Sequence, residues 1–133
     1  MTTTERAEPH NGARSGVLVA LSALGAVVMS AAWCWYGLAF FEEMTEQPKA
    51  VSAGTTMAGS GAVLGIPPLV IAHVLGLIVL VLVAPRGGRI WPGLGWAVLG
   101  VGAASIIGII VAQLLWGGDL FRMSATMQPE FIP

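Results

Sequence analysis

Charged side chains are scarce in this sequence of 133 residues. Lys and Arg number six, Asp and Glu number seven, and together they make up 10% of the chain, whereas 56% of it is hydrophobic. A typical soluble domain has about 25% charged residues. A chain this short also exposes a large share of its surface, because the fraction buried on folding rises with length. So few charges cannot cover that surface, which excludes a soluble monomeric domain.

Cysteine is even scarcer, and net charge is almost absent. The single cysteine, Cys34, excludes an internal disulfide and a zinc site built on paired cysteines. A net charge of −1 provides no basic field for nucleic acid. The sequence also has no nucleotide-binding loop, catalytic dyad or pair of metal ligands at a recognisable spacing. We therefore expect a protein that is not an enzyme and has no cofactor of its own.

What the sequence does contain is three long stretches without charge, at residues 15–41, 50–85 and 90–118. About 20 apolar residues cross the hydrocarbon core of a bilayer as a helix. The middle stretch begins with small and polar residues at 50–56, which are typical of a loop. The sequence thus predicts an all-α membrane protein with three transmembrane helices. The predicted spans are residues 15–41, 61–84 and 92–116.

The positive charges predict how these spans are oriented. Cytoplasmic loops carry the excess of Lys and Arg. Four arginines fall on the side of the amino terminus and two cations on the other, which predicts a cytoplasmic N-terminus and a C-terminus outside. The extramembrane segments are then a cytoplasmic tail at 1–14, an outer loop at 42–60, a cytoplasmic hairpin at 85–91 and an outer tail at 117–133. In the outer loop, Glu42, Glu43 and Glu46 are interpreted as a solvated acidic cap.

Small residues recur every fourth position in the third span. Residues at this spacing lie on one face of a helix. In a bilayer they let two helix backbones approach closely and associate. We therefore expect a helix-packing interface, either within the chain or against a partner protein. It consists of Gly100, Ala104, Gly108 and Ala112.

His73 is the one ionisable residue deep within a predicted span. Counting residues from the span ends places Ser105 and Ser30 at a similar depth, so the three side chains are predicted to form a polar layer near the midplane. An intramembrane ionisable residue can serve as a proton relay or an axial haem ligand. It can also be a neutral histidine that joins helices by hydrogen bonds. The adjacent Pro67 and Pro68 are interpreted as an ordinary helix start, although broken helices also build transporter sites.

As a whole-chain pattern, the sequence resembles the small accessory membrane subunits of actinobacterial respiratory supercomplexes, which join a cytochrome bcc complex to cytochrome c oxidase. The resemblance rests on the three spans, five arginines against one lysine, the polar tail before Arg14, the Gly100–Ala112 stripe and the extramembrane C-terminus. It implies a plasma-membrane subunit of the electron-transport chain that packs against other integral membrane subunits and lipid. It also implies that haem and copper belong to the partner subunits. The alternative is a small homo-oligomeric transporter or carrier with His73 near its pathway.

Overall fold

The computed structural model describes residues 10–83 and 90–125, and these residues form four helices and no strand. Three of the helices are long and apolar enough to cross a membrane, which confirms the predicted all-α membrane fold with three transmembrane helices. The orientation of the termini stays a prediction. Residues 1–9, 84–89 and 126–133, which include most of the predicted hairpin and part of both predicted tails, lie outside the described residues. The helices are α1 (His10–Ser52), α2 (Ser60–Val83), α3 (Ile90–Leu115) and the short α4 (Leu120–Ala125).

The first helix is much longer than its predicted span. The prediction of a loop from Glu42 onward was wrong for residues 42–52, because α1 continues without a break to Ser52. Charged residues mark where a helix leaves the hydrocarbon, but Glu, Met, Gln, Lys and Ala are also good helix formers. At 43 residues, α1 is about 65 Å long, twice the thickness of a hydrocarbon core. At its other end, α1 also includes residues 10–14 of the predicted tail.

Two glycine-terminated turns end the long helices α1 and α3. After α1, Gly54 adopts a φ of 74°. The Thr55 N–H donates to the Ala50 carbonyl at 2.9 Å, and the Gly54 N–H donates to the Val51 carbonyl. After α3, Gly117 adopts a φ of 61° and the Gly118 N–H donates to the Gln113 carbonyl at 2.8 Å. Both turns are Schellman motifs, which need one residue in the left-handed conformation. Glycine adopts this conformation without strain. They reverse the chain toward α2 and α4.

The helix α1 is the centre of the bundle and packs against the other three helices. Gly61 and Gly65 on α2 face it, and a Cβ on Gly61 would lie 2.9 Å from a ring carbon of Phe40. The short helix α4 folds back and buries Leu120 and Met123 completely or nearly so. This part of the predicted outer tail is therefore attached to the bundle.

Burial is unevenly distributed along the bundle. We call residues 29–73 and 105–125 the capped end and residues 16–28, 74–83 and 93–104 the distal end. Among the side chains that the structure describes, Ala97 and Val101 are the buried ones of the distal end. Among the described side chains of α1, Met29 is the first that is buried. The densely packed core therefore lies at the capped end.

Candidate functional site

The imidazole of His73 connects α2 to α3. Its Nδ1 lies 2.8 Å from the carbonyl oxygen of Leu69, and its Nε2 lies 3.0 Å from the hydroxyl oxygen of Ser105. A carbonyl oxygen only accepts hydrogen bonds, so the proton of a neutral imidazole is on Nδ1. Nε2 is then an acceptor for the Ser105 hydroxyl. Both ring nitrogens are used within the chain.

The indole of Trp33 extends this network to α1. Its Nε1 donates to the Ser105 hydroxyl oxygen at 3.0 Å. An indole N–H can only donate, so the bonds run in one direction from Trp33 through Ser105 and His73 to the Leu69 carbonyl. One network therefore joins the three long helices, and each polar atom in it has a partner.

The structure brings together two of the three residues that were predicted to form a polar layer. His73 and Ser105 are brought together, but the hydroxyl of Ser30 donates to the Ala26 carbonyl of its own helix at 2.7 Å. Such bonding to the preceding turn is common for serine within helices. The α1 residue that does reach Ser105 is Trp33, one turn farther on. Counting residues by depth missed Trp33 because depth does not show which residue of α1 faces Ser105.

The predicted stripe on α3 packs within the chain. A Cβ on Gly108 would lie 2.8 Å from the Met29 carbonyl oxygen and equally close to Trp33 Cδ1. Ala112 is completely buried, and a Cβ on Gly100 would lie 2.8 Å from Leu80 of α2. The last member, Ala104, is half-buried. Because Gly108 has no side chain, the indole of Trp33 lies over it and reaches Ser105 one turn earlier.

The prolines do not mark the start of α2, contrary to our interpretation. The helix begins at Ser60, and Pro67 and Pro68 lie within it. Proline has no N–H, so Pro68 cannot donate the helical hydrogen bond to the Leu64 carbonyl. The indole Nε1 of Trp35 on α1 donates to that carbonyl at 3.0 Å instead. A side chain of the neighbouring helix therefore satisfies the group that the proline leaves unbonded, as a lipid environment requires.

Glu43 is the main residue that the sequence interpretation misplaced. It is 1% exposed and therefore not part of a solvated acidic cap. Its Oε1 accepts the N–H of Gly59, and its Oε2 accepts the N–H of Gly61, both at 2.7 Å. The carboxylate thus caps the N-terminus of α2, where the helix dipole favours negative charge. Glu46, in contrast, is partly exposed and pairs with Lys49.

Gln47 lies one turn beyond Glu43 and holds the connection at 53–59. Its Oε1 accepts the Met57 N–H at 2.6 Å, and its Nε2 donates to the Thr56 hydroxyl oxygen at 3.1 Å. Phe40, Glu43 and Gln47 have the spacing of one helix face. That spacing is the signal that could have predicted a contact face here, once α1 is known to continue beyond residue 41.

Aromatic rings of α4 and of the turn after α3 pack against α1 at the capped end. The ring centroids of Phe41 and Trp116 are 5.3 Å apart, and those of Trp33 and Phe121 are 6.1 Å apart. Gly37 leaves room for the indole of Trp116, and a Cβ there would also lie 2.7 Å from Leu120. Aromatic pairs at these distances are favourable beyond the area that they bury. The contacts explain why α4 stays against the bundle.

Within residues 10–83 and 90–125, no three His, Cys, Asp or Glu side chains come close enough together to hold a metal ion. Cys34 is a half-buried free thiol. Comparison with protein-family models gives no match, and comparisons with curated proteins and with solved structures give none either. The functional argument therefore rests on the geometry of this chain.

Proposed function

We propose that this chain is a non-catalytic accessory subunit of a larger membrane complex and that it acts through helix packing. From the resemblance of its sequence, we propose a respiratory supercomplex of cytochrome bcc and cytochrome c oxidase in the plasma membrane as that complex. Haem and copper would then be held by the partner subunits, and this chain would contribute a rigid surface.

The observation that carries the proposal is the closed hydrogen-bond network around His73. Both ring nitrogens are bonded within the chain, to Leu69 and Ser105, and Ser105 is in turn bonded by Trp33. An axial haem ligand needs a free ring nitrogen. A proton relay needs a group that can pass its proton onward, and the network ends on a carbonyl oxygen. The geometry favours a histidine that joins helices.

The internal position of the α3 stripe also supports a packing role and narrows where a partner would bind. Because Gly108 faces α1 and Ala112 is completely buried, these two residues are not available to another protein. Large apolar side chains are exposed on all three long helices. Examples are Val19 on α1, Val63 on α2 and Leu114 on α3, each at least 70% exposed. Lipid or other transmembrane helices would cover these positions.

Purification in a mild detergent tests the proposal. A tagged chain should recover haem-containing partners in a fixed stoichiometry, measured from the cytochrome absorption spectra and the subunit masses. Recovery as a homo-oligomer without cytochromes would contradict the accessory-subunit proposal and favour the transporter alternative.

Photo-crosslinking from single positions would locate the contact surface. A crosslinking residue at Val19, Val63 or Leu114 should capture a partner subunit from at least one helix. The matched control is the same residue at Ala112, which is completely buried and should give only products within the chain. Lipid adducts alone from all three exposed positions would argue against any protein partner on these faces.

A further inference from the structure

The proline pair of α2 leaves a second carbonyl without its helical donor. Proline has no N–H, so Pro67 cannot donate the helical hydrogen bond to the Val63 carbonyl. The neighbouring carbonyl of Leu64 loses its donor in the same way but accepts the indole N–H of Trp35. Within the part of the chain that the structure describes, no side chain donates to the Val63 carbonyl. The chain therefore supplies a side-chain donor to one of the two freed acceptors.

The Val63 carbonyl lies on the face of α2 that points away from the bundle. Gly61 and Gly65, two residues before and after Val63, face α1. At 3.6 residues per turn, a position midway between them lies on the opposite side of the helix. Val63 is 71% exposed, and Pro67, toward which its carbonyl is directed, is exposed as well. A donor for this carbonyl must therefore come from the surroundings of the bundle.

Depth and surface indicate the kind of molecule that carries this donor. With 24 residues, α2 is about 36 Å long, whereas a hydrocarbon core is about 30 Å thick. Val63 is the fourth residue of α2, so a centred helix places it near the boundary between hydrocarbon and headgroups. From there the same helix face continues into the hydrocarbon as exposed apolar side chains, namely Pro67, Val70 and Val74. A lipid matches both parts, because it has a polar headgroup at the boundary and an acyl chain below it.

We propose that the Val63 carbonyl is a binding position for a lipid whose headgroup donates a hydrogen bond. An ammonium N–H of phosphatidylethanolamine or a hydroxyl of phosphatidylglycerol takes the place of the N–H that Pro67 lacks. The acyl chain lies along Val70 and Val74. Phosphatidylcholine has no N–H or O–H in its headgroup and cannot form this bond. The inference does not depend on the proposed function or on the identity of a partner complex.

Infrared spectroscopy of the full-length chain in lipid nanodiscs tests the proposal. With an isotope label on the Val63 carbonyl, the stretching frequency should be lower in phosphatidylethanolamine or phosphatidylglycerol than in phosphatidylcholine, because a hydrogen bond weakens the C=O bond. The internal control is a labelled Leu64 carbonyl, which accepts from Trp35 and should not change with the lipid. A Val63 frequency that is the same in all three lipids would overturn the proposal and assign the donor to water or to the chain itself.

Two matched variants assign the lipid dependence to the proline break. Pro67→Ala restores an N–H to the Val63 carbonyl, so its frequency should become low in every lipid and the dependence should be lost. Pro68→Ala restores a donor to Leu64 only, so the lipid dependence of Val63 should remain. Both prolines are exposed, so neither change removes a buried side chain. Lipid dependence that persists unchanged in Pro67→Ala would also overturn the proposal.

Discussion

The capped end and the distal end of this bundle are built from the same helices but are held together differently. At the capped end, hydrogen bonds that involve Trp33, Trp35, His73 and Glu43 join one helix to another or to the connection between them. At the distal end, the buried contacts described are those of apolar and small residues, such as Gly76 against Val101. The comparison indicates that polar side chains help to set the relative position of the helices at the capped end. In the described part of the distal end, the contacts of small and apolar residues do so.

The lipid environment explains why the contacts at the capped end matter for helix association. A transmembrane helix gains little by exchanging lipid contacts for contacts with another apolar helix. Close backbone approach and hydrogen bonds supply the specificity instead. Glycines at 61, 65 and 108 provide the close approach at the capped end, and the polar side chains lie beside them. We therefore expect substitutions at the capped end to be costly and matched substitutions on open faces to be tolerated.

The largest effect is expected for Gly108→Leu, which places a side chain against the Met29 carbonyl and Trp33. Backbone cannot move aside as a flexible side chain can, so we expect a loss of about 3 kcal/mol or more in unfolding free energy. Unfolding in mixed micelles measures it. The matched control is Gly102→Leu on the same helix, where no atom lies within 4 Å of the added Cβ. Equal stability of the two variants would show that the contact of Gly108 with α1 does not contribute to the stability of the bundle.

A smaller effect is expected for His73→Ala. The substitution leaves the Ser105 hydroxyl without its acceptor, and interhelical hydrogen bonds of this kind contribute on the order of 1 kcal/mol. Ser30→Ala is the control, because Ser30 bonds only its own helix in the contacts described, and it should cost less. In the proposed respiratory complex, electron-transfer turnover per assembled complex should not change. A large fall in that turnover would assign His73 a functional role beyond packing.

The smallest effect is expected for Trp35→Phe, which keeps the aromatic ring but removes the donor to the Leu64 carbonyl. The expected cost is about 0.6 kcal/mol, the average for a hydrogen bond in a membrane protein. Trp96→Phe is the control, because Trp96 lies at the distal end and is 73% exposed. Infrared spectroscopy with a labelled Leu64 carbonyl should detect the loss as a higher stretching frequency. An unchanged frequency would show that Trp35 does not donate a hydrogen bond to the Leu64 carbonyl.

Depth along a span could be predicted from the sequence, and this explains which parts of the candidate site were found. His73 and Ser105 were matched by counting residues from the ends of their spans. Counting gives no information on rotation about a helix axis, so Ser30 was included and Trp33 was not. The stripe from Gly100 to Ala112 was recognised from its spacing, but spacing does not tell which helix faces it.

The contacts of Glu43 depend on features that no local pattern contains. Its burial requires that α1 continue beyond the hydrocarbon and that residues 53–61 fold back onto it. An acidic residue next to two others is usually solvated, so its neighbours in the sequence suggested the wrong environment. The turn at Gly54, which directs the connection back, became informative only when the end of α1 was known.

The low number of charges determined that this protein is a membrane protein with three spans, because an uncharged stretch of about 20 residues is stable as a helix in lipid whatever its neighbours are. The tertiary structure decided the rest. It directed the α3 stripe inward, placed both hydrogen bonds of the His73 ring within the chain and made one of three nearby acids a buried helix cap. These outcomes depend on the rotation and crossing of helices, which are set by contacts between residues far apart in the sequence.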